Sequence, residues 1–126
     1  MIPTYDDNNI FAKILRGDIP SKPIVQNDYA YAFYDINPQA PIHILVIPKG
    51  KYVSYEDFCV NASEKETKGF HDCIAAVLEI VKLGQKQDGN GFRIISNIGS
   101  DGGQEVPHCH IHIVGGHKLG KMISDN

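Results

Sequence analysis

Short apolar runs bounded by turn residues recur along this chain and predict a sheet of five strands. The most apolar of them, HILVIPK, ends near Pro48, which cannot donate a ladder hydrogen bond. The first two runs are joined by Asn27 and Asp28, residue types that favour tight turns. The predicted strands cover residues 24–26, 29–36, 43–49, 92–96 and 108–114.

A longer apolar pattern at helical spacing predicts one long helix over residues 63–84. Ser63 and Glu66 have the spacing of a capping box, which marks the start of a helix. Gly84 is expected to take the left-handed conformation that ends it. The apolar residues then share one face and form a buried stripe of Phe70, Cys73, Ile74, Val77, Ile80 and Val81.

A shorter helix is predicted over residues 8–16, with Asn8 or Asn9 as its cap and Gly17 at its end. The order of elements is then short helix, strands, long helix, strands. Because tight turns join the strands and the helices stand apart, the sequence predicts an α+β fold. We expect a mainly antiparallel five-stranded sheet in a single domain over residues 1–126.

Composition and charge narrow the kinds of partner that this chain can have. Twelve Lys and Arg against fifteen Asp and Glu give a net charge of -3 at pH 7, and the basic residues are scattered, which argues against a nucleic-acid polymer. Cys59, Cys73 and Cys109 form no CxxC pair and predict free thiols in a reducing compartment. No apolar run suits a signal peptide or a membrane span, so a cytoplasmic location is expected.

The segment PHCHIHIV, with a histidine at every second position, is the strongest chemical signal in the sequence. On a strand, residues i and i+2 share a face at a spacing of about 6.5 Å. His108, His110 and His112 are therefore expected to form a row, with Cys109 and Ile111 facing the core. Three imidazoles in register are more typical of a functional site than of structural use.

Two chemical interpretations of this row stay open on the residues alone. In the first, two histidines bind zinc, with Glu105 or His43 as a further ligand and water at an open position. In the second, a neutral imidazole acts as a nucleophile while its neighbours orient it and bind charge.

The adjacent loop NIGSDGGQE favours a phosphate as the ligand of this site. Its glycines let backbone N–H groups turn toward a bound anion. Asn97 and Gln104 add neutral donors at the two ends of the loop, and Gly103 is among the glycines expected to contact the anion. We therefore predict a nucleotide or phosphate ligand beside the histidines.

Three ordered segments of the chain resemble the histidine-triad (HIT) superfamily. They are IFAKILRGDIP, FYDINPQAPIHILVIPK and NIGSDGGQEVPHCHIHIVGG. Together they are similar to the Hint-type branch, the purine nucleoside phosphoramidate hydrolases. The resemblance implies a HIT-like fold with one long and one short helix. It also implies a homodimer in which the long helix and an adjoining strand pair across a two-fold axis into a continuous sheet.

The same resemblance implies an enzyme. Purine nucleoside 5′-phosphoramidates of the AMP-amine or AMP-acyl type would be hydrolysed to the nucleoside monophosphate through a nucleotidyl-histidine on His110. His112 would bind the phosphoryl oxygens, and His108 and His43 would complete the histidine network. The alternatives are a dinucleoside polyphosphate hydrolase and a non-catalytic nucleotide-binding sensor.

A further set of residues would bind the nucleotide, according to the resemblance. Asp35 would accept hydrogen bonds from both ribose hydroxyls, and Asn97 would contact the phosphate. On the residues alone, Asp35 is also compatible with a turn, and Phe11 and Phe33 are more typical of a core than of a ligand slot. The purine slot implied by the resemblance consists of Phe11, Ile14, Phe33, Ile36 and Leu45.

Two sets of positions depart from the family pattern. Glu105 stands where many relatives carry a serine that is thought to assist the leaving amine, so the resemblance does not imply a leaving-group preference. Asn9 and Ala12 stand where several bacterial relatives carry the CxxC pair of a zinc site. We therefore expect no metal and no other cofactor, and a purine nucleotide substrate as the partner.

Overall fold

Five antiparallel strands form the sheet within residues 1–124, the part of the chain that this computed structural model describes. The strands lie side by side in the order β1-β2-β3-β5-β4, so that β3 and β5 are neighbours and β4 is an edge. The predicted α+β fold with an antiparallel five-stranded sheet is confirmed. The strands are β1 (Val25–Gln26), β2 (Ala30–Tyr34), β3 (Ile42–Pro48), β4 (Phe92–Ile95) and β5 (Ile111–Gly115).

Three α-helices accompany the sheet in the described residues: α1 (Ile10–Leu15), α2 (Tyr55–Asn61) and α3 (Glu64–Val81). The sequence predicted α1 and α3 but missed α2. Polar residues interrupt the apolar spacing of α2, although Phe58 is buried and the Ser54 side chain caps the first turn. None of the helices within residues 1–124 is long and apolar enough to cross a membrane.

The start of α3 agrees with the prediction, and its end does not. Ser63 and Glu66 form both halves of the capping box. The helix stops at Val81, and Lys82 takes the left-handed conformation with φ of 55°. Gly84, predicted for that role, has φ of -78° and is extended. The helix thus ends three residues before the predicted end at Gly84.

The two faces of the sheet have different neighbours. On one face, Ile44 and Val46 of β3 join Ile113 of β5 in the main core, together with Phe70 of α3. The buried stripe of α3 is narrower than predicted, because the Ile80 side chain is 51% exposed. On the opposite face, Phe11, Tyr31, Phe33, Leu45 and Ile47 form a smaller cluster that includes α1. The predicted histidines lie beside this second cluster.

Helix α1 depends on Asn9 for its start. The Asn9 Oδ1 atom accepts a hydrogen bond from the Ala12 N–H at 2.9 Å, and its Nδ2 atom donates to the Asp6 carbonyl at 2.7 Å. Asn9 therefore ties the N-terminal segment to the helix that carries Phe11.

Replacing Asn9 with Ala should lower the free energy of unfolding by about 1 kcal/mol, because the first turn of α1 loses its cap. Asn9→Ser keeps a capping oxygen and should lose less than half as much. Urea denaturation of the two variants and the wild type measures the difference. Equal losses for Ala and Ser would contradict the capping role.

Candidate active site

The histidine segment enters strand β5 later than its sequence pattern predicts. The strand begins at Ile111, so residues 108–110 form a lead-in outside it, with a bend at His108. Ile111 is paired with Val46 of β3, and continuing this register would bring Cys109 opposite Pro48. Proline has no N–H to donate, so the ladder stops. The lead-in is held instead by the Cys109 N–H, which donates to the Tyr52 carbonyl at 2.7 Å.

His108 is fully buried, and both of its ring nitrogens have partners. Its Nε2 atom lies 2.8 Å from the carbonyl of Pro48, which can only accept, so Nε2 carries the proton. Its Nδ1 atom then accepts from the hydroxyl of Tyr5 at 2.6 Å. Burial lowers the pKa of His108 to about 4. The imidazole of His108 is therefore a neutral structural group behind the site.

His110 is oriented by the backbone of His108. Its Nδ1 atom donates to the His108 carbonyl at 2.7 Å, which leaves Nε2 without a proton in the neutral ring. Burial also lowers the pKa of His110 below its ordinary value of 6.5. The ring packs edge-on against Phe11, with centroids 5.0 Å apart. His110 thus offers an unprotonated, nucleophilic nitrogen at neutral pH.

The hydrogen bonds between His43 and His112 determine which nitrogens carry protons in this pair. The backbone N–H of Gln39 donates to His43 Nδ1 at 3.0 Å, so the proton of His43 is on Nε2. That Nε2 lies 2.9 Å from His112 Nδ1, to which it donates. His112 must then carry its own proton on Nε2. The Gln39 N–H thus determines the tautomer of His43, and His43 determines the tautomer of His112.

His112 directs this N–H into the site without a partner. Its Nε2 atom is buried and makes no hydrogen bond to the described part of the chain. Burial lowers the pKa of His112 to about 4, so the ring is neutral. The rings of His110 and His112 have centroids 5.1 Å apart. A lone pair and a hydrogen-bond donor therefore stand side by side, as attack on a phosphoryl group requires.

A cavity of about 500 Å³ opens onto these two rings. It brings together most of the residues predicted from the sequence, from both the histidine network and the purine slot. Phe11 and Phe33 serve the core as well, since they are only 6% and 7% exposed. The predicted residues that line the cavity are Phe11, Ile14, Phe33, Asp35, Ile36, His43, Leu45, Asn97, Gly103, His110 and His112.

Asp35 lies at the end of strand β2 and has two structural contacts. Its Oδ1 atom accepts from the backbone N–H of Asn37 at 2.8 Å, and its Oδ2 atom is 3.4 Å from His43 Nε2. Asp35 is thus both a turn residue and part of the cavity wall. Each carboxylate oxygen has two acceptor positions, so hydroxyl groups can still be bound.

Gln104 does not line this cavity. Its Nε2 atom donates to the carbonyls of Val53 at 2.6 Å and Val106 at 3.0 Å, and its Oε1 atom accepts from the Gly99 N–H. The N–H of Gly103 donates to Ser100 within the loop. The N–H groups of Gly99, Gly103 and the Gln104 side chain thus hold the loop together. The nucleotide-binding role of Gly103 and Gln104 stays a prediction.

Several cavity residues were not identified from the sequence. Asn37 and Gln39 follow Asp35 in the NPQAP loop, and their closeness to it could have indicated them. Tyr5 contacts His108 across 103 positions of sequence, which no local pattern shows. Ile10 and Val106 also line the cavity. Glu105 lines it too, and its charge favours the protonated form of His110.

Asp35, His43 and His112 are the group of side chains within the described residues that could be considered for a metal. One ligand atom from each lies within 4.8 Å of the others. However, His43 Nε2 is protonated because Nδ1 accepts from Gln39, so it has no lone pair for a metal. Metal-binding histidines normally donate from the second nitrogen. The hydrogen-bonding pattern therefore does not fit a metal centre.

Comparison with known proteins identifies the family. A model of the HIT domain matches residues 16–119. A 13.2 kDa HIT-like protein of Azospirillum brasilense is 52% identical over 124 residues, which is 98% of each protein. The purine nucleoside phosphoramidase of Escherichia coli K12 is 40% identical over 121 residues, covering 94% of this chain and 95% of that protein.

Solved structures similar to this one belong to the same family as the sequence relatives. A histidine triad protein from Clostridium difficile is 41% identical with a TM-score of 0.77, over 95% of this chain and 100% of that one. A HIT family hydrolase from Clostridium thermocellum is 32% identical with a TM-score of 0.76, over 94% and 99%. The chain belongs to the HIT family. The resemblance to the HIT superfamily and the prediction of a HIT-family enzyme are both confirmed.

The buried histidines should make stability depend on pH. The pKa of His108 is about 4 in the folded protein and about 6.5 in an unfolded chain, so between these values the unfolded state binds more protons. The free energy of unfolding should therefore fall as the pH is lowered through this range. His108 alone should account for a loss on the order of 2 kcal/mol by pH 5.

Urea denaturation at pH values from 7 to 5 measures this dependence, above the range where ordinary carboxyl groups titrate. His108→Gln, which lacks the imidazole, should show a smaller slope although its stability at pH 7 is also reduced. A wild-type stability that stays constant over the range would contradict the assignment.

Proposed function

We propose that this protein hydrolyses purine nucleoside 5′-phosphoramidates to nucleoside monophosphates through a nucleotidyl-histidine intermediate on His110. The observation that carries the proposal is the pair of complementary nitrogens, with the lone pair of His110 beside the unpartnered N–H of His112. The name of the Escherichia coli relative supports the substrate class.

The cavity offers a place for each part of the nucleotide. An apolar slot that includes Phe11, Phe33 and Leu45 suits a flat purine and contacts its faces rather than its edges. Asp35 accepts hydrogen bonds from the ribose hydroxyls. The phosphoryl group then lies between His110 and His112, where the Asn97 side chain, which has no hydrogen bond within the described residues, donates to an oxygen.

The first displacement forms a bond between His110 Nε2 and the α-phosphorus while the P–N bond breaks. The electron pair of the P–N bond leaves with the amine nitrogen, which takes a proton from a water molecule, while the Nε2–H of His112 stays on its ring and donates a hydrogen bond to a phosphoryl oxygen. In the second displacement, water attacks the phosphorus and releases a proton to the hydroxide left by the first step. The bond between phosphorus and His110 Nε2 breaks, and His110 leaves as a neutral imidazole in its starting tautomer.

No metal is required for this sequence of steps. The N–H of His112 is already aimed at the position where charge develops, inside a partly buried cavity where such a donor is strong. The low pKa of His112 makes its ring a neutral donor rather than a cation at neutral pH. The site thus supplies both a nucleophile and a hydrogen-bond donor from uncharged groups.

We also propose that the protein forms a homodimer, in keeping with the family resemblance. Strand β4 is an edge of the sheet, and its Ile94 and Ile95 side chains are 47% and 37% exposed. Ile80 of α3 is likewise exposed. An unpaired edge with apolar side chains is stabilised by pairing with a second copy across a two-fold axis.

Single-turnover hydrolysis of adenosine 5′-phosphoramidate tests the proposed reaction. The wild type should release AMP with or without a strong chelator, and rapid quenching in an alkaline denaturant, in which a P–N bond is stable, should trap AMP covalently on His110. His110→Ala should form no adduct and lose roughly a thousandfold or more in rate, since it lacks the nucleophile. His71→Ala, which removes an exposed histidine of α3, is the matched control.

Three results would contradict the proposal. Activity that is lost with chelator would indicate a metal-dependent site. An adduct that persists in His110→Ala would place the nucleophile elsewhere. Tight nucleotide binding without turnover in the wild type would indicate a binding protein.

The backbone N–H of Gln39 should contribute more to kcat than its side chain does. Gln39→Pro removes this N–H and frees His43 to adopt the other tautomer, which would reverse the hydrogen bonds of His112. We expect kcat to fall about tenfold or more, the equivalent of one hydrogen bond left unmade. Gln39→Ala keeps the N–H and should stay within a few-fold of the wild type. Equal kcat values for the two folded variants would contradict the role.

A further inference from the structure

The peptide group that orients His110 lies outside the ladder of the sheet. Its carbonyl, which belongs to His108, accepts from His110 Nδ1 at 2.7 Å. Its N–H, which belongs to Cys109, donates to the Tyr52 carbonyl at 2.7 Å. Because a peptide group is planar, these two bonds lie on opposite edges of one rigid unit. A single bond on the N–H edge still lets the unit pivot, so the direction of the carbonyl needs a second anchor.

The side chain of His108 supplies this second anchor. Its ring is fully buried, its Nε2 atom donates to the Pro48 carbonyl at 2.8 Å, and its Nδ1 atom accepts from the Tyr5 hydroxyl at 2.6 Å. The rings of Tyr5 and His108 also meet edge to face, with centroids 5.6 Å apart. A ring that is bonded at both nitrogens cannot rotate without breaking a hydrogen bond, so the main chain of His108 is held with it.

Tyr5 carries the donor that this arrangement requires. Burial raises the pKa of the Tyr5 hydroxyl above its ordinary value of 10.0, so the hydroxyl keeps its proton at neutral pH. Because His108 Nε2 must donate to a carbonyl, Nδ1 of the neutral ring offers a lone pair and needs a donor. Within residues 1–124, the Tyr5 hydroxyl is the hydrogen-bond partner of that lone pair.

The segment that carries Tyr5 is tied to two parts of the domain. The carbonyl of Asp7 accepts from Arg16 Nη1 at 2.7 Å, next to the end of α1. The Asp7 carboxylate lies 2.8 Å from Lys51 Nζ, in the loop after β3. The segment before α1 is thus held where Tyr5 reaches the histidines. Tyr5 precedes residues 16–119, which the HIT domain model matches, so the family pattern assigns it no role.

We propose that Tyr5 is a positioning residue for the nucleophile: its hydroxyl holds the His108 ring, and thereby keeps the His108 carbonyl directed at His110 Nδ1. The inference rests on the proposed function, because it concerns the nucleophile of that reaction. Tyr5 is not among the residues that line the nucleotide cavity, so it acts through His108 and not on the substrate. The hydrogen bond at one nitrogen of an imidazole sets which nitrogen is protonated. Without the carbonyl, a share of His110 would carry its proton on Nε2, where it blocks attack.

The variant Tyr5→Phe tests the proposal, because it removes the hydroxyl and keeps the ring. The kcat for adenosine 5′-phosphoramidate, expressed per folded molecule, should fall about tenfold, the equivalent of one hydrogen bond left unmade. KM should stay within about twofold of the wild type, because the residues that bind the nucleotide are unchanged. Circular dichroism measures the folded fraction.

Nitrogen-15 spectra of the imidazoles near pH 7 report the same change without any turnover. In Tyr5→Phe, the His108 Nδ1 signal should shift to that of a lone pair without a donor. His110 should show a mixture of its two tautomers. A purely structural role of Tyr5 would lower the free energy of unfolding, and would leave the kcat per folded molecule and the His110 signals unchanged.

Tyr31→Phe is the matched control, because it removes a tyrosine hydroxyl that donates to Ser21 and not to a histidine. It should match the wild type in kcat and in the signals of His108 and His110. The inference would be overturned if Tyr5→Phe behaved like Tyr31→Phe. It would also be overturned if kcat fell in Tyr5→Phe while His110 kept its proton on Nδ1.

Absence of turnover in the wild type would instead overturn the proposed function. The nitrogen-15 comparison then decides the inference alone. A mixture of His110 tautomers in Tyr5→Phe would support it, and an unchanged Nδ1–H on His110 would overturn it.

Discussion

The site depends on one constraint: backbone groups determine where the protons of four neighbouring histidines lie. The carbonyl of His108 can only accept, so His110 must donate from Nδ1 and keeps Nε2 free. The N–H of Gln39 can only donate, so His43 and then His112 carry their protons on Nε2. Because main-chain groups do not titrate, the lone pair of His110 and the N–H of His112 are in place before any ligand binds. Burial reinforces this arrangement by disfavouring the charged rings.

The sheet makes these contacts possible through its register. Strand β3 lies next to β5, which brings His43 and His112 onto one face, while Ile44 and Ile113 fill the core on the other. Pro48 stops the ladder, so the residues before β5 leave the strand and the His110 ring can turn back to the carbonyl of His108. The same face carries Arg93 on the edge strand β4. Core packing and site geometry therefore have a common origin in strand order.

The sequence was sufficient for the fold class, the strands and the set of histidines, because each depends on local periodicity. Prediction from the sequence failed where the local structure depends on contacts with residues that are distant in the sequence. The end of α3 at Lys82, the start of β5 at Ile111 and the bonding of Gln104 to Val53 are set by tertiary contacts. The role of the His108 carbonyl could not be predicted either, because a sequence pattern shows which side chains are present and not the direction of a backbone carbonyl. Helix α2 lacked a clear apolar period.

Nitrogen-15 chemical shifts of the imidazoles in the wild-type protein near pH 7 test the central claim most directly, since they report which nitrogen of each ring is protonated. The account predicts Nδ1–H for His110 and Nε2–H for His43, His108 and His112. Observation of Nε2–H on His110, or of Nδ1–H on His112, would contradict it, because the nucleophile or the donor would then face the wrong way.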